Sequence, residues 1–357
     1  MESNYLMLFG KRKGILGLDI GTSAIKIVEL EESKKGYQLK NFGMSFLPKE
    51  TIVNGVLKNA SPLVNAIVNL KDNLKTKTKY IATAISGHPV IIKKINIPTM
   101  SEEELSESIQ WEAEQYIPFD LEEVNIDFQI LGADETNPDQ MEVLLVAAKK
   151  SLMSDYEEVI VEAGLEMVVV DIDSFALGNA YEVNYPDEKT PVVALVDMGA
   201  SVININVVKE GKSTFTRDVF MGGNKLSEEI QKQLAVSEEE AELLKIGGKL
   251  DNINYERLDS IIQDVSLALA VEVQRSLDLH AASTTEEEVK KIYLSGGTSR
   301  IPGIKDLIAD RVGVPVEYLD PFRKIKYDET RFDPEYIKEI SPVAVVSLGL
   351  ALRNLGD

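Results

Sequence analysis

The sequence predicts a mixed α/β protein of two lobes, with a duplicated core and a small α+β subdomain inserted into the first lobe. Three observations carry this. The chain has 357 residues, long for a single hydrophobic core. The apolar run 16–30, LGLDIGTSAIKIVEL, breaks at an Asp-Xaa-Gly turn and resumes. Residues 194–208, ALVDMGASVININVV, repeat the design, Asp197, Gly199 and Ser201 matching Asp19, Gly21 and Ser23. Between them, a compact block from 87 to 165 interrupts the pattern.

Residues 15–30 read as two strands around the first turn, and Gly36 turns the chain into a third. Over 61–74, Ser61 is placed to cap a helix, Pro62 lies in its first turn, and Leu63, Ile67, Leu70 and Leu74 form an apolar stripe at helical spacing. KYIATAIS (79–86) reads as a buried strand. In the insert, 89–98 is a strand, and SEEELSESIQWEAEQYIPF opens on a capping box of Ser101 and Glu104. Its stripe is Leu105, Ile109 and Tyr116, and Pro118 ends it. VNIDFQIL and MEVLLVAAK are further strands, followed by a helix from Ser151 to Ala163 that stops at Gly164. The second lobe starts near Pro191, with strands across 192–208 and 212–220 and a mostly helical stretch at 224–285. Residues 290–313 return to strand, glycine turn and helix, and SPVAVVSLGLALRNL closes the chain as an apolar helix. The expected division is a first-lobe core of 1–86 and 166–190, an insert of 87–165, a second-lobe core of 191–223 and 288–357, and a helical subdomain of 224–287.

A net charge of −21 argues against a nucleic-acid footprint, which needs a basic face. It also disfavours broad adsorption to anionic lipid. Two short basic groups, Lys11, Arg12, Lys13 and Arg323, Lys324, Lys326, are the candidates for a local membrane contact, and such runs read first as solvated surface. There is no cysteine, which excludes disulfides, zinc–thiolate sites and a cysteine nucleophile. His88 and His280 are the two histidines, too far apart in sequence to suggest a metal cluster or a His-dependent triad. The amino terminus carries its basic residues after its apolar ones and does not read as a signal peptide. No run approaches the 18 apolar residues of a membrane span. The cytoplasm is the expected compartment.

The chemistry sits at the two turns. A hairpin bend with glycine exposes backbone N–H groups that no ladder uses, and these suit phosphate oxygens. Gly21, with Thr22 and Ser23, and Gly199, with Ala200 and Ser201, would supply such donors. Asp19 and Asp197 have the wrong sign for phosphate, but they fit Mg²⁺ held through its waters. Lys26 can place a point charge on the phosphate chain, whereas its counterpart is Asn204. A third piece, YLSGGTSRIPG, ends a strand in Gly296 and Gly297, letting backbone approach a flat ligand beside Thr298, Ser299 and Arg300. EGKST at 210–214 imitates the end of a phosphate-binding loop, but Asn206 stands where that motif needs glycine, so it reads as a hairpin tip.

With all three pieces in order, the chain resembles the actin-like ATPase superfamily, which includes sugar kinases, heat-shock chaperones and the division protein FtsA. That resemblance implies an actin-like ATPase fold, two lobes of a duplicated βββαβα-type core, with connecting elements at about 171–181 and 343–352. MLFGKRKGILGLDIGTSAIKIVEL, WEAEQYIPFDLEEVNIDFQIL, TRDVFMGGNKLSEEI and SEEEAELLK narrow the resemblance to the PilM family of type IV pilus assembly proteins. It implies ATP or ADP with Mg²⁺ in the cleft, Gly222, Gly223 and Asn224 near ribose and phosphates, and Lys245 beside the purine. Glu228 and Glu242 are weaker candidates for that pocket.

The same resemblance implies a scaffold that binds the cytoplasmic N-terminal tail of PilN. The other pilus platform and motor proteins are further expected partners, and association with the inner membrane is peripheral. Hydrolysis is expected to be slow or absent. Asp173, with Asp171 as its neighbour, is the candidate for orienting a nucleophile. An FtsA-like division scaffold, a small-molecule kinase and a self-associating actin relative remain the alternatives.

Overall fold

The computed structural model describes residues 14–53, 55–134, 137–283 and 288–354. The basic group at 11–13 and the start of the opening segment lie outside the described residues. In the first lobe, β1 (Ile15–Ile20), β2 (Ala24–Ser33) and β3 (Gly36–Phe46) form an antiparallel meander. A small hairpin of β4 (Ile52–Val53) and β5 (Val56–Leu57) leads to α1 (Ala60–Leu74), and β6 (Tyr80–Ile85) returns parallel to β1. The insert follows, with β7 (Val90–Pro98), α2 (Glu102–Ala113), β8 (Val124–Ala133) and β9 (Gln140–Lys149). Then α3 (Lys150–Glu162) leads to β10 (Glu166–Ile172), which completes the sheet β10-β6-β1-β2-β3.

Helix α4 (Asp173–Asn184) crosses to the second lobe. There follow β11 (Val192–Met198), β12 (Ile203–Lys209), β13 (Lys212–Val219), α5 (Gly223–Leu234), α6 (Glu238–Lys245) and α7 (Tyr255–Ser283). The chain ends on β14 (Lys291–Ser295), α8 (Ile304–Val312), β15 (Val316–Tyr318) and α9 (Pro334–Ala351). The sheet β13-β12-β11-β14-β15 repeats the first strand for strand. The repeat of the two turns in sequence is thus a repeat of whole sheets.

The central strands β1 and β11 are covered on both faces, and so their sequences run apolar without alternation. The insert has a core of its own, with Leu105 and Ile109 of α2 on Val143 and Leu145 of β9. Val159 and Ile160 of α3 instead pack with Leu63 and Ile67 of α1, in the first-lobe core.

Two helices join the lobes. Gly349 of α9 lies so close to α4 that a Cβ there would stand 1.8 Å from the Ala176 carbonyl oxygen. Gly17 of β1 is pressed equally hard on α9, its Cβ position 2.0 Å from the Ser347 oxygen. Asp171 and Arg353 close this crossing with a 3.1 Å ion pair. On the outer edge, Leu39 N donates to Lys326 O at 2.7 Å, so a second-lobe loop pairs with β3. A further bridge runs from the insert. Asp218 accepts from the Gly87 amide and from Asn204 Nδ2, each at 2.8 Å, and the His88 ring stacks on Phe220 with centroids 3.7 Å apart.

Some local expectations change. Asn59, not Ser61, occupies the N-cap of α1, and Ser61 lies inside the first turn. Helix α2 stops at Ala113, before Tyr116 and Pro118, and the Tyr116 amide closes a turn on the Ala113 carbonyl. Helix α9 starts at Pro334 and carries Pro342 within it. The capping boxes at Ser101–Glu104 and Ser237–Glu240 are both formed. EGKST is the β12–β13 hairpin tip, with Glu210 and Gly211 both at positive φ. Among the described residues no helix is long and apolar enough to cross a membrane.

Candidate functional site

The β1–β2 and β11–β12 turns face each other across the lobes. Thr22 Oγ1 donates to Ser201 Oγ at 3.0 Å, which brings the two glycine bends into one cleft. The cleft offers about 150 Å³ of free space and is lined by Asp19, Gly21, Thr22, Ser23 and Lys26 from one side and Asp197, Gly199, Ala200 and Ser201 from the other. Asp173, at the start of α4, forms part of its floor.

Each glycine closes its bend by bonding across it. Gly21 N donates to Ala24 O at 3.1 Å, and Gly199 N to Val202 O at 2.9 Å. The amides between, at Thr22, Ser23, Ala200 and Ser201, make no hydrogen bond to another described residue. Adjacent outward amides of this kind form an anion-binding concavity.

The carboxylates are arranged unequally. Asp19 stands directly opposite Lys26 in the ladder, and their side chains pair at 3.0 Å. Asp197 stands opposite Asn204, which is turned to Asp218, so Asp197 accepts from Ser295 Oγ at 2.7 Å instead. Burial and the charge of Asp19 push the Asp197 carboxyl up to about 6, against the Ser295 hydrogen bond. Burial, then Asp19, Asp218 and Asp197, push Asp173 up to about 8, although the Ser86 hydroxyl bonds it. Burial pulls the Lys26 ammonium down, but Asp19, with Asp197 and Asp173, outweighs it and leaves the pKa raised.

The pieces assigned to ribose and base gather behind the second turn. Gly223 N donates to Gly199 O at 3.1 Å and Asn224 N to Ala200 O at 2.8 Å, while Asn224 Nδ2 reaches Ser201 Oγ at 3.0 Å. A Cβ on Gly222 would stand 2.5 Å from the Gly199 and Ala200 oxygens, so only glycine permits that contact. Lys245 is buried behind Gly223, its ammonium donating to Ser227 Oγ at 3.0 Å and paired with Glu242 at 2.6 Å. Glu228 is exposed on α5 and makes no ion pair with a described residue.

In the loop 296–300, Gly296 has φ +84, and its Cβ position lies 2.3 Å from the Met198 oxygen, so the end of β11 already requires glycine there. Ser299 is fully buried, and its hydroxyl donates to Gly296 O at 2.7 Å. Gly297 and Arg300 are the members of this loop exposed to solvent.

Asp171 and Asp173 part company. Asp171 accepts from Arg353 and from Asn179 Nδ2, and holds α9 in place. Asp173 alone of the two reaches the cleft. Sequence reasoning missed Ser86, Tyr156 and Phe220, which also line it. Ser86 and Gly87 follow the buried strand β6, and the carboxyl end of a parallel strand is where open α/β sheets place ligands. That signal was available.

The family model described as type IV pilus assembly protein PilM matches residues 17–355. One chain of a PilM–PilN type IV pilus biogenesis complex superposes with a TM-score of 0.86 and 30% identity, covering 98% of this chain and 100% of that one. Ethanolamine utilization protein EutJ from Carboxydothermus hydrogenoformans shares the fold, with a TM-score of 0.59 and 17% identity over 94% of this chain and 88% of that one. Cell division protein FtsA of Bacillus subtilis (strain 168) is 25% identical over 366 residues, 90% of this chain and 81% of the relative. The match to the pilus model begins just before the first glycine turn and ends beyond the last helix, and on that extent the chain belongs to the PilM family of type IV pilus assembly proteins.

Proposed function

We propose that the chain is a nucleotide-binding scaffold of the type IV pilus inner-membrane platform, in which ATP or ADP clamps the two lobes and the cytoplasmic tail of PilN is the partner. The observation that carries the partner is the 0.86 superposition, over nearly the whole of both chains, on a member of a PilM–PilN complex. The nucleotide reading is supported by the opposed bends, with their unused amides and the Lys26 ammonium among them. The residues fit Mg²⁺ through water rather than by direct ligation. Asp19 and Asp197 flank the phosphate-sized space, and no group of three or more ligating side chains occurs among the described residues. Bound there, the ion would offset phosphate charge. Ligand pockets usually measure about 300–1,000 Å³. At about 150 Å³ the free space in the cleft is below that range, and parting Thr22 from Ser201 would enlarge it.

The environment of Asp173 supports slow or negligible hydrolysis. Burial and the neighbouring carboxylates raise its carboxyl to about 8, which in the ligand-free chain favours the protonated form and so disfavours its use as a base. Calorimetry with a PilN-tail peptide and with MgATP is the test. No heat from the peptide at high concentration refutes the partner, and none from MgATP refutes the clamp. Phosphate release at several per second, abolished by Asp173→Asn, refutes the slow-turnover reading. An FtsA-like role has the support of the 25% relative, and recovery of division proteins rather than pilus proteins in a pull-down would favour it.

A further inference from the structure

Helix α3 buries one stripe, Leu152, Tyr156, Val159 and Ile160, at helical spacing. Its two halves meet different neighbours. Val159 and Ile160 pack on α1, whereas Leu152 and Tyr156 join Ile85 and Ile172, the last residues of β6 and β10. The Tyr156 ring is therefore held at the carboxyl ends of two parallel strands, in one cluster with Ala148 of β9 in the insert. Phenylalanine would fill that apolar place equally well, so the packing alone does not require a hydroxyl.

Nor does the hydroxyl serve another group of the protein. Tyr156 is only 5% exposed and lines the cleft, yet its oxygen makes no hydrogen bond to a described residue. Burial first, then Asp173 and Asp19, push the phenol pKa up, so the oxygen stands on the side of the ring toward these carboxylates and keeps its proton. Other hydroxyls of the cleft are engaged, Ser86 with Asp173 and Thr22 with Ser201. A buried donor left without an acceptor is destabilising, and one that faces a cleft points to an acceptor arriving from outside.

Charge and place name that acceptor. Lys26 is the one cation among the described residues lining the cleft, against Asp19, Asp173 and Asp197. An anion entering this corner depends on neutral donors, and a phenol that keeps its proton is one. The groups assigned to ribose and base, Gly222, Gly223, Asn224 and Lys245, belong to the second lobe. Tyr156 comes from the first-lobe side, beside Asp173, so the end of a nucleotide that reaches it is the terminal phosphate.

We infer that Tyr156 is a specificity-determining residue of the cleft, its hydroxyl donating to the terminal phosphate of a nucleoside triphosphate and so separating triphosphate from diphosphate. The inference rests on the nucleotide reading of the cleft and adds to it a choice between ligands. The side chain that reads this phosphate also packs with β9, so the choice is made against the insert.

Calorimetry with MgATP and with MgADP, on the full chain and on Tyr156→Phe, tests it. The variant keeps the ring and loses one oxygen. MgATP affinity should fall by about tenfold or more, the scale of a hydrogen bond to a charged group, and MgADP affinity by less than about twofold. The melting temperature of the ligand-free variant should equal or exceed the parent's, since an unpartnered buried hydroxyl has been removed. A hydroxyl with a structural duty would lower it. Tyr116→Phe, in the insert beside Lys93, is the control and should alter neither affinity. An unchanged ratio of the two affinities, a lowered melting temperature, or an equal effect of Tyr116→Phe overturns the assignment. Where the parent binds both nucleotides and the ratio is unchanged in Tyr156→Phe, the nucleotide reading stands and Tyr156 loses its role. Where the parent binds neither, both fall.

Discussion

Gly349→Ala tests whether the helix crossing sets the distance between the lobes. The new Cβ would stand 1.8 Å from the Ala176 oxygen and 2.6 Å from its carbonyl carbon. Carbon–oxygen contacts between neighbouring backbones settle at about 3.3 Å, so α9 must retreat from α4 by about 1.5 Å. No rotamer relieves the clash, since the atoms met are backbone. Nor is the far side free. Pro342 O accepts from Gly296 N at 2.7 Å, and Arg353 is paired with Asp171. Overpacking of this kind costs about 1–3 kcal/mol, and two rigid backbones place it at the upper end. At about 2.1 cal/mol/K per residue, a loss of about 3 kcal/mol lowers Tm by about 4 °C. Far-UV circular dichroism is the suitable readout, because Trp111, the lone tryptophan, is already 78% exposed and would report little. Gly297→Ala is the control, its Cβ meeting nothing nearer than Val343 Cγ1 at 3.8 Å. A Gly349→Ala protein that melts within about 1 °C of the parent would refute the crossing as a fixed spacer.

Lys26→Met leaves Asp19 without its ion-pair partner and removes the cation closest to the phosphate space. MgATP affinity should fall by about a hundredfold in calorimetry, the scale of losing a charge-assisted contact. Asp173→Asn should flatten the dependence of stability on pH. The folded carboxyl holds its proton up to about 8 and the unfolded one releases it near 3.8, so the parent loses stability as pH rises through that window. Melting curves from about pH 5 to 9 will show this as a shallower slope in the variant. Removal of divalent cations with a chelator should weaken ATP binding by about tenfold or more while leaving the melting temperature of the ligand-free chain unchanged. Trp111→Ala should leave Tm within about 1 °C, since so exposed a side chain contributes little burial.

Local signals were legible, and distant ones were not. Both Asp-Xaa-Gly turns announced themselves because glycine and the flanking apolar runs are adjacent in sequence. The two capping boxes, each a Ser with Glu three residues on, were equally plain. The cap of α1 was misplaced because Asn59 and Ser61 are both polar and nearly adjacent, and the helix begins two residues earlier than a Ser61 cap implies. Asp171 and Asp173 could not be told apart because the arginine that claims Asp171 lies at position 353. Nothing near Gly296 in sequence shows that its missing Cβ makes room for the Met198 oxygen, on a strand nearly a hundred positions away in the chain. Ser86, Tyr156 and Phe220 reach the cleft from three separate elements, and no spacing rule unites them.

Asp218 has a consequence of its own. One carboxylate oxygen holds Asn204, on the strand after the second bend, and the other holds the amide of Gly87, where the chain enters the insert. A rotation that separates Thr22 from Ser201 therefore pulls on the root of the insert. Thermodynamic linkage makes that pull symmetrical: a peptide that prefers one attitude of the insert alters nucleotide affinity by the same factor by which nucleotide alters the peptide's.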